Sequence, residues 1–305
     1  MAEEKIAVVY GGTSTERQES EENAQRIGKT LEQLHHKAEM TVYDENIVEK
    51  LKALRPECVF LCVQGKYHGD GTLQAICSHL GIPYTGSKTE AAAIINDKKI
   101  CKELCAFHGI RTPEYRSLKR KAFEKMSRAE LTEYLKPVGY PLVAKGVTQG
   151  GSYGIRLIKS DRELAEVGAL YDYDDELMFE QFIEGRFVTV PLLKRGGQMG
   201  ALTIVEGISK EQSDIILFNQ AFMVKKAELS ESLEKELVAS ALAVSDICGA
   251  ESYARVDYML DESGTPYFLE INAVPGMREE SFYPIAAEMS GISFENLVEI
   301  ILENR

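Results

Sequence analysis

Two short strands near the C-terminal end carry polar residues at alternate positions, and they constrain the fold more than any other segment. The first reads Tyr253-Ala-Arg255-Val-Asp257-Tyr-Met-Leu260 and the second Pro266-Tyr-Phe-Leu-Glu270-Ile-Asn272, with Asp261-Glu-Ser-Gly264 between them in the pattern of a hairpin turn. Strand side chains face alternate sides, so Arg255 and Asp257 share one face while Val256, Tyr258 and Leu260 pack behind. Glu270 and Asn272 share a face for the same reason. A hairpin that sets Asp257 opposite Glu270 gathers three oxygen ligands and one guanidinium on a single patch. Such ligands suit Mg²⁺, which prefers one or two carboxylates together with substrate phosphates. Alternating polar residues also describe an ordinary solvated sheet face. Against that stands the stiff turn Ala273-Val-Pro275-Gly276-Met277 directly after the second strand, where Gly276 permits a backbone N–H to approach a ligand closely.

At 305 residues the chain exceeds one typical core, so two or three domains are expected. No apolar run is long enough to span a bilayer, and Met1-Ala-Glu-Glu-Lys5 leads straight into a strand, so no membrane partner and a cytoplasmic location are expected. The net charge of −13 argues against a nucleic-acid partner, because phosphate-backbone binding needs clustered Lys and Arg. It leaves open a nucleotide held by Mg²⁺ and a few lysines.

Alternating strands and helices open the chain. Lys5–Tyr10 is a parallel-type strand ending in Gly11-Gly12-Thr13-Ser14; a helix follows from about Glu16 to Leu34, then a strand through Met40–Tyr43, a helix near Ile47–Leu54 and a buried strand Val59–Val63. This is the pattern of a wound α/β domain with a parallel sheet. Helices near Glu90–Ile95 and Lys98–Phe107 follow. A second unit begins around residue 97, with strands over Tyr140–Lys145, Gly154–Ile158 and Leu177–Ile183. Further strands are expected over Phe187–Leu193 and Ala201–Glu206, then a helix near Leu233–Cys248, the polar hairpin, and closing helices near Pro284–Met289 and Phe294–Leu302. The six cysteines are expected to be free thiols; Cys101, Cys105 and His108 are spaced to share a helix face, where core thiols are commoner than a metal site.

Two glycine-rich loops stand at strand ends. Gly11–Arg17 opens a helix, where free amides and the helix dipole attract anions, but it lacks the third glycine of a dinucleotide fingerprint. Gly28-Lys29-Thr30 imitates a phosphate-loop ending inside a helix and is discounted. Gln149-Gly150-Gly151-Ser152-Tyr153-Gly154 lies between two strands and leaves amides free to fold over phosphates, with Lys145 at the end of the preceding strand. Taken alone, that loop is equally an ordinary hairpin turn.

Lysine, glycine loop, acidic strand and carboxylate–asparagine strand, in that order, resemble the ATP-grasp superfamily, and more closely the D-alanine–D-alanine ligases. Gly11–Arg17, Gly69-Asp-Gly-Thr-Leu-Gln74, Pro83-Tyr-Thr-Gly-Ser87, Asn96-Asp-Lys98, Arg255-Val-Asp257 and Leu269–Met277 all look like segments of that family. The resemblance implies a fold of α/β and α+β class, a three-domain ATP-grasp architecture with an N-terminal wound parallel sheet. Its units would be an N-terminal substrate domain over 1–96, a central subdomain over 97–185 and a C-terminal metal domain over 186–305. It further implies an ATP- and Mg²⁺- (or Mn²⁺-) dependent ligase of amino acids that works through an acyl phosphate; a homodimer is expected. Lys98, Lys145 and the Gly150-Gly151-Ser152 loop would hold ATP phosphates, and Glu180 with the Gln181-Phe182-Ile183 backbone would surround adenine. Asp257, Glu270 and Asn272 would bind Mg²⁺, and Arg255 with the Gly276 amide would stabilise the tetrahedral oxyanion. Glu16 would bind the ammonium of the first substrate, with Gln64 beside it, and Ser281 with Phe282 would receive the carboxylate of the second.

Five departures cluster around the substrates. Gly151 replaces a serine that the family bonds to the substrate-site glutamate and a lid tyrosine. The lid, about 208–230, reads Ser213-Asp-Ile-Ile-Leu-Phe-Asn-Gln220, with Lys225 or Lys226 as candidates for its missing lysine. Gln64 stands for a histidine, Glu19 for a small apolar residue, and Phe187 for an acidic ribose ligand. A ligase of other amino acids or amines, a non-catalytic nucleotide or amino-acid sensor, and, from the first loop alone, a dehydrogenase are the competing readings.

Overall fold

The structure, a computed structural model, describes residues 3–210 and 222–305. Lys5–Gly11 (β1), Arg17–Gln33 (α1), Lys37–Tyr43 (β2), Ile47–Leu54 (α2), Cys58–Leu61 (β3), Thr72–Leu80 (α3) and Thr89–Asn96 (α4) alternate along the first third of the chain. The strands form a parallel sheet in the order β2-β1-β3. β1 and β3 are buried on both faces, as parallel strands covered by helices must be, and α1 presents Ala24, Ile27 and Leu31 to one of them.

Lys98–Phe107 (α5) follows α4 after one residue, Asp97, whose carboxylate accepts from the Ile100 N–H and caps the new helix. Then come Tyr115–Lys119 (β4), Arg120–Phe123 (α6), Arg128–Leu135 (α7), Leu142–Gly146 (β5), Arg156–Ile158 (β6), 3₁₀ turns over Asp161–Asp172, and Glu176–Gln181 (β7). Four of these strands make an antiparallel sheet, β4-β7-β5-β6, with Leu142, Ala144, Ile158, Leu177 and Phe179 in the core on one face. The opposite face of β5 carries Val143 and Lys145.

Arg186–Arg195 (β8), Gln198–Ala201 (β9), Val205–Ser209 (β10), Phe222–Lys226 (β11), Glu231–Cys248 (α8), Tyr253–Leu260 (β12), Pro266–Asn272 (β13), Phe282–Met289 (α9) and Phe294–Glu303 (α10) complete the chain. A third sheet runs β11-β10-β8-β12-β13, with β9 on β8. Where one strand is expected over Ala201–Glu206, the chain instead breaks between β9 and β10, the Leu202 N–H turning back to bond the Pro191 carbonyl. The segments α3, β4, α6, α7 and β11 are elements not foreseen as such; the lid residues Ser213–Gln220 lie outside the described residues. Among the described residues no helix is long and apolar enough to cross a membrane. All six cysteines are free and buried, and the partner of Cys101 and Cys105 is Cys248 rather than His108: Cys101 Sγ lies 3.4 Å from Cys248 Sγ between α5 and α8.

Candidate active site

The hairpin pairs in the expected register, Arg255 beside Asn272 and Asp257 beside Glu270. A bulge follows Asp257, after which Tyr258 pairs with Phe268 and Leu269 is left over. Leu269 and Glu270, neighbours that a regular strand would send to opposite faces, therefore both line one cavity. That cavity, about 160 Å³, has Val143, Phe187, Met259 and Leu269 on its walls, Glu180–Ile183 along one edge, and Lys98, Lys145, Gly150, Gly151 and Ser152 about the other groups.

Glu180 is held between two buried lysines, with Lys102 Nζ at 2.5 Å and Lys145 Nζ at 2.6 Å. Burial would raise its carboxyl, but the two cations outweigh burial and hold it below the usual carboxylate range. Lys102 also donates to Thr112 Oγ1 and to the Phe268 carbonyl, and burial pushes its ammonium down. Lys145 moves up, because Glu180 and Glu270 together exceed the cost of its burial. Lys98 donates to the Gln149 carbonyl at 2.6 Å and lies 3.5 Å from Glu270, fastening the glycine loop to the hairpin.

A second cavity, about 120 Å³, is lined by Glu16, Glu19, Gln64, Arg255, Gly276, Arg278, Ser281 and Phe282, and it shares Lys98, Gly150, Gly151 and Glu270 with the first. Arg255 and Asp257 form a two-point pair, Nε to Oδ1 at 2.9 Å and Nη2 to Oδ2 at 2.6 Å, and Thr189 donates to the same carboxylate. Burial raises the Asp257 carboxyl against the pull of Arg255, whereas Lys98, Lys145 and Arg255 keep Glu270 low in spite of burial. Glu16, at the N-cap of α1, lies against the glycine loop: a Cβ on Gly150 would stand 2.5 Å from its Oε2, so only glycine leaves room for the carboxylate. Burial first, then Glu19, raises the Glu16 carboxyl to about 7. Gly276 approaches Ser281 so closely that a Cβ there would meet Oγ at 3.0 Å.

Every residue named in advance for phosphate, adenine, metal, oxyanion and substrate contact lines one of the two cavities. Three placements differ from the simplest reading. Asp257 is committed to Arg255 and Thr189 as well as facing the cavity. Gln64 spends its amide on the Val274 carbonyl at 2.7 Å, tying the loop after β3 to the turn after β13. Lys225 lies 3.6 Å from Glu206, on the third sheet. Residues that sequence reasoning missed are those acting between distant segments. Asn23 accepts from the Met277 N–H at 2.8 Å and Arg26 donates to the Met277 carbonyl at 2.7 Å, so α1 positions the turn that holds Gly276. Lys102 and Thr189 carried no local signal. His68 accepts from the Thr13 N–H and packs where a Cβ on Gly12 would stand, bracing the first glycine loop.

Comparison with known proteins gives a consistent picture. Residues 104–303 match the family model for the D-ala D-ala ligase C-terminus. A D-alanine–D-alanine ligase of Aquifex aeolicus is 33% identical over 303 residues, covering 98% of this chain and 99% of its own. The crystal structure of a D-alanine–D-alanine ligase from Bacillus anthracis superposes with a TM-score of 0.84 at 28% identity, covering 99% of this chain and 97% of that one. The same enzyme complexed with ATP gives 0.82 at 27% identity over 99% and 96% of the two chains.

Proposed function

The chain belongs to the D-alanine–D-alanine ligase family, and on that premise we propose that it joins two molecules of D-alanine while converting ATP to ADP and phosphate. The observation that carries this reading is the junction of two cavities of unlike chemistry at Lys98, Gly150, Gly151 and Glu270. One has apolar walls and lysines, as a nucleotide base and its phosphates require. The other is polar, with carboxylates and guanidinium groups suited to zwitterionic amino acids. A phosphoryl group passing from nucleotide to carboxylate has to cross at that junction.

In the apolar slot Val143, Met259 and Leu269 flank adenine, and Glu180 with the 181–183 backbone reads its edge. Lys98 and Lys145 neutralise the phosphates while the amides of Gly150–Ser152 fold over them. Asp257 and Glu270 offer carboxylate oxygens from paired positions of adjacent strands, and Asn272, paired with Arg255, adds an amide oxygen that also accepts from the Val274 N–H, a set that fits a hard divalent cation. Mg²⁺ (or Mn²⁺) held there would offset charge on the transferring phosphoryl group. Glu16 takes the ammonium of the first amino acid and so aims its carboxylate at the junction, where it becomes an acyl phosphate. Ser281 and Phe282, at the start of α9, receive the carboxylate of the second, whose amine attacks the activated carbonyl. Arg255, held flat by its two bonds to Asp257, and the Gly276 N–H stabilise the tetrahedral oxyanion as phosphate leaves.

Coupled ADP release with D-alanine, with the product weighed by mass spectrometry, tests the reading. ADP and dipeptide are expected in equal amounts. Arg255→Lys, which keeps a cation beside Asp257, is expected to lower kcat about 100-fold or more, since an oxyanion donor contributes about 3–4 kcal/mol, while Mg·ATP affinity stays near that of the parent. Folded protein that binds Mg·ATP yet releases no ADP would refute the activity; equal losses of affinity and turnover would refute the role of Arg255.

A further inference from the structure

Glu16 and Glu19 are three residues apart at the start of α1, and both line the polar cavity. Glu16 is 6% exposed. Among the described residues neither carboxylate makes a hydrogen bond or an ion pair. The cations that share the cavity are engaged elsewhere: Arg255 with Asp257, Lys98 with Glu270 and the Gln149 carbonyl, and Arg278 with Glu22 at 3.2 Å and Glu280 at 3.4 Å. The glycine loop against Glu16 has no hydroxyl at Gly150 or Gly151 to donate. Burial is the largest influence on both carboxyls and raises them. For Glu16 the charge of Glu19 adds to it while Lys98 and Arg255 pull the other way, and for Glu19 Arg278 and Arg255 offset part of the rise. A carboxylate left unpaired in such a place is costly. The α-ammonium of one amino acid satisfies one of the two; the other is offset only through space, by Arg278 and Arg255, and a second ammonium on the ligand would pair with it directly.

We infer that the first-substrate site takes, alongside D-alanine and in preference to it, a short diamino acid of the 2,3-diaminopropionate class, Glu16 receiving the α-ammonium and Glu19 the side-chain ammonium. The inference rests on the ligase reading above and specifies its first substrate. Residues three apart on a helix stand about 5–6 Å apart at Cβ, and that spacing favours two ammonium groups separated by a short side chain. D-alanine remains the acceptor, because the Ser281 and Gly276 side of the cavity does not involve Glu19.

The test uses the full chain with Mg·ATP, D-alanine as acceptor, and D-alanine or D-2,3-diaminopropionate competing as first substrate. ADP release is followed, and the N-terminal residue of each dipeptide is read by tandem mass spectrometry. The expected result is diaminopropionyl-alanine, with kcat/KM for the diamino acid about tenfold or more above that for D-alanine, the scale on which one buried polar contact discriminates. Glu19→Gln and Glu19→Val should each lower that ratio about tenfold, through KM rather than kcat. Dialanine formed without preference for the diamino acid, or a ratio unchanged in Glu19→Gln, overturns the inference and leaves the ligase reading standing. No ADP from any pair, despite Mg·ATP binding, overturns both.

Discussion

Burial, then the charge of Glu19, raises the Glu16 carboxyl to about 7, and on the proposed reading that places it to respond to an arriving ammonium. Its ordinary value is 4.5, so between about 4.5 and 7 the folded protein holds a proton that the unfolded chain has lost. Stability from this group is therefore present at low pH, falls as pH rises through that window, and is lost above about 7. The difference corresponds to roughly 3 kcal/mol as an order of magnitude. Glu16→Gln removes the ionisation, and urea unfolding should find the ligand-free variant more stable than the parent by about 2–3 kcal/mol at pH 8 and by much less at pH 5. The same variant should raise KM for the first amino acid, and in the parent that KM should fall as pH rises through about 7. An equal stability change at both pH values would mean that Glu16 is not the titrating group. On the proposed reading, binding and stability oppose one another at Glu16.

At the scale of elements, α5 and the β12–β13 hairpin carry most of the site. α5 begins at a cap, Asp97, that places Lys98 on the loop and the hairpin, and one turn later Lys102 reaches Glu180. The Lys102 side chain is 0% exposed, so it cannot be lost without leaving part of the Glu180 charge uncompensated in the interior. Lys102→Met is expected to destabilise the fold by about 3–5 kcal/mol, read from the denaturant midpoint, and to weaken ATP binding. A loss under about 1 kcal/mol would show that Lys145 alone satisfies Glu180. In the hairpin the bulge after Asp257 turns Leu269 into the wall beside Glu270. Strand periodicity foretold the Asp257–Glu270 pairing but not the extra residue, because an apolar side chain at 269 reads as core on either face.

On the scale of the whole molecule, three sheets meet at the two cavities, and the N-terminal one is fastened to the C-terminal turn through α1. Asn23 and Arg26 hold Met277, and the Arg26 guanidinium lies 3.6 Å from the centre of the Phe294 ring on α10. Mg·ATP held between the second and third sheets should add to the stability of both. Thermal unfolding is expected to show about 2.7 kcal/mol of stabilisation at a hundredfold excess over Kd. EDTA should remove most of it, and so should combining Asp257→Asn with Glu270→Gln. Stabilisation that survives chelation unchanged would place the divalent cation outside the nucleotide site.

Local pattern alone determined the wound α/β start, the helix from Lys98, the glycine loop after Lys145 and the hairpin that sets Asp257 against Glu270. Each depends on residues close in the chain, where periodicity and turn chemistry act directly. Strand β4, Tyr115–Lys119, escaped notice because its residues are mostly polar and only half-buried, and α7 because its Ser127–Glu130 capping box precedes a short helix. Tertiary structure decided the rest: Lys102 on Glu180, Asn23 and Arg26 on the Gly276 turn, Cys101 against Cys248 across 147 residues of chain, and Glu16 and Glu19 in the polar cavity without an ion-pair partner among the described residues. The physical reason is common to all of them. A buried charge or amide takes its meaning from what packs against it, and those partners come from segments whose approach is set by the fold and by no local run of residues.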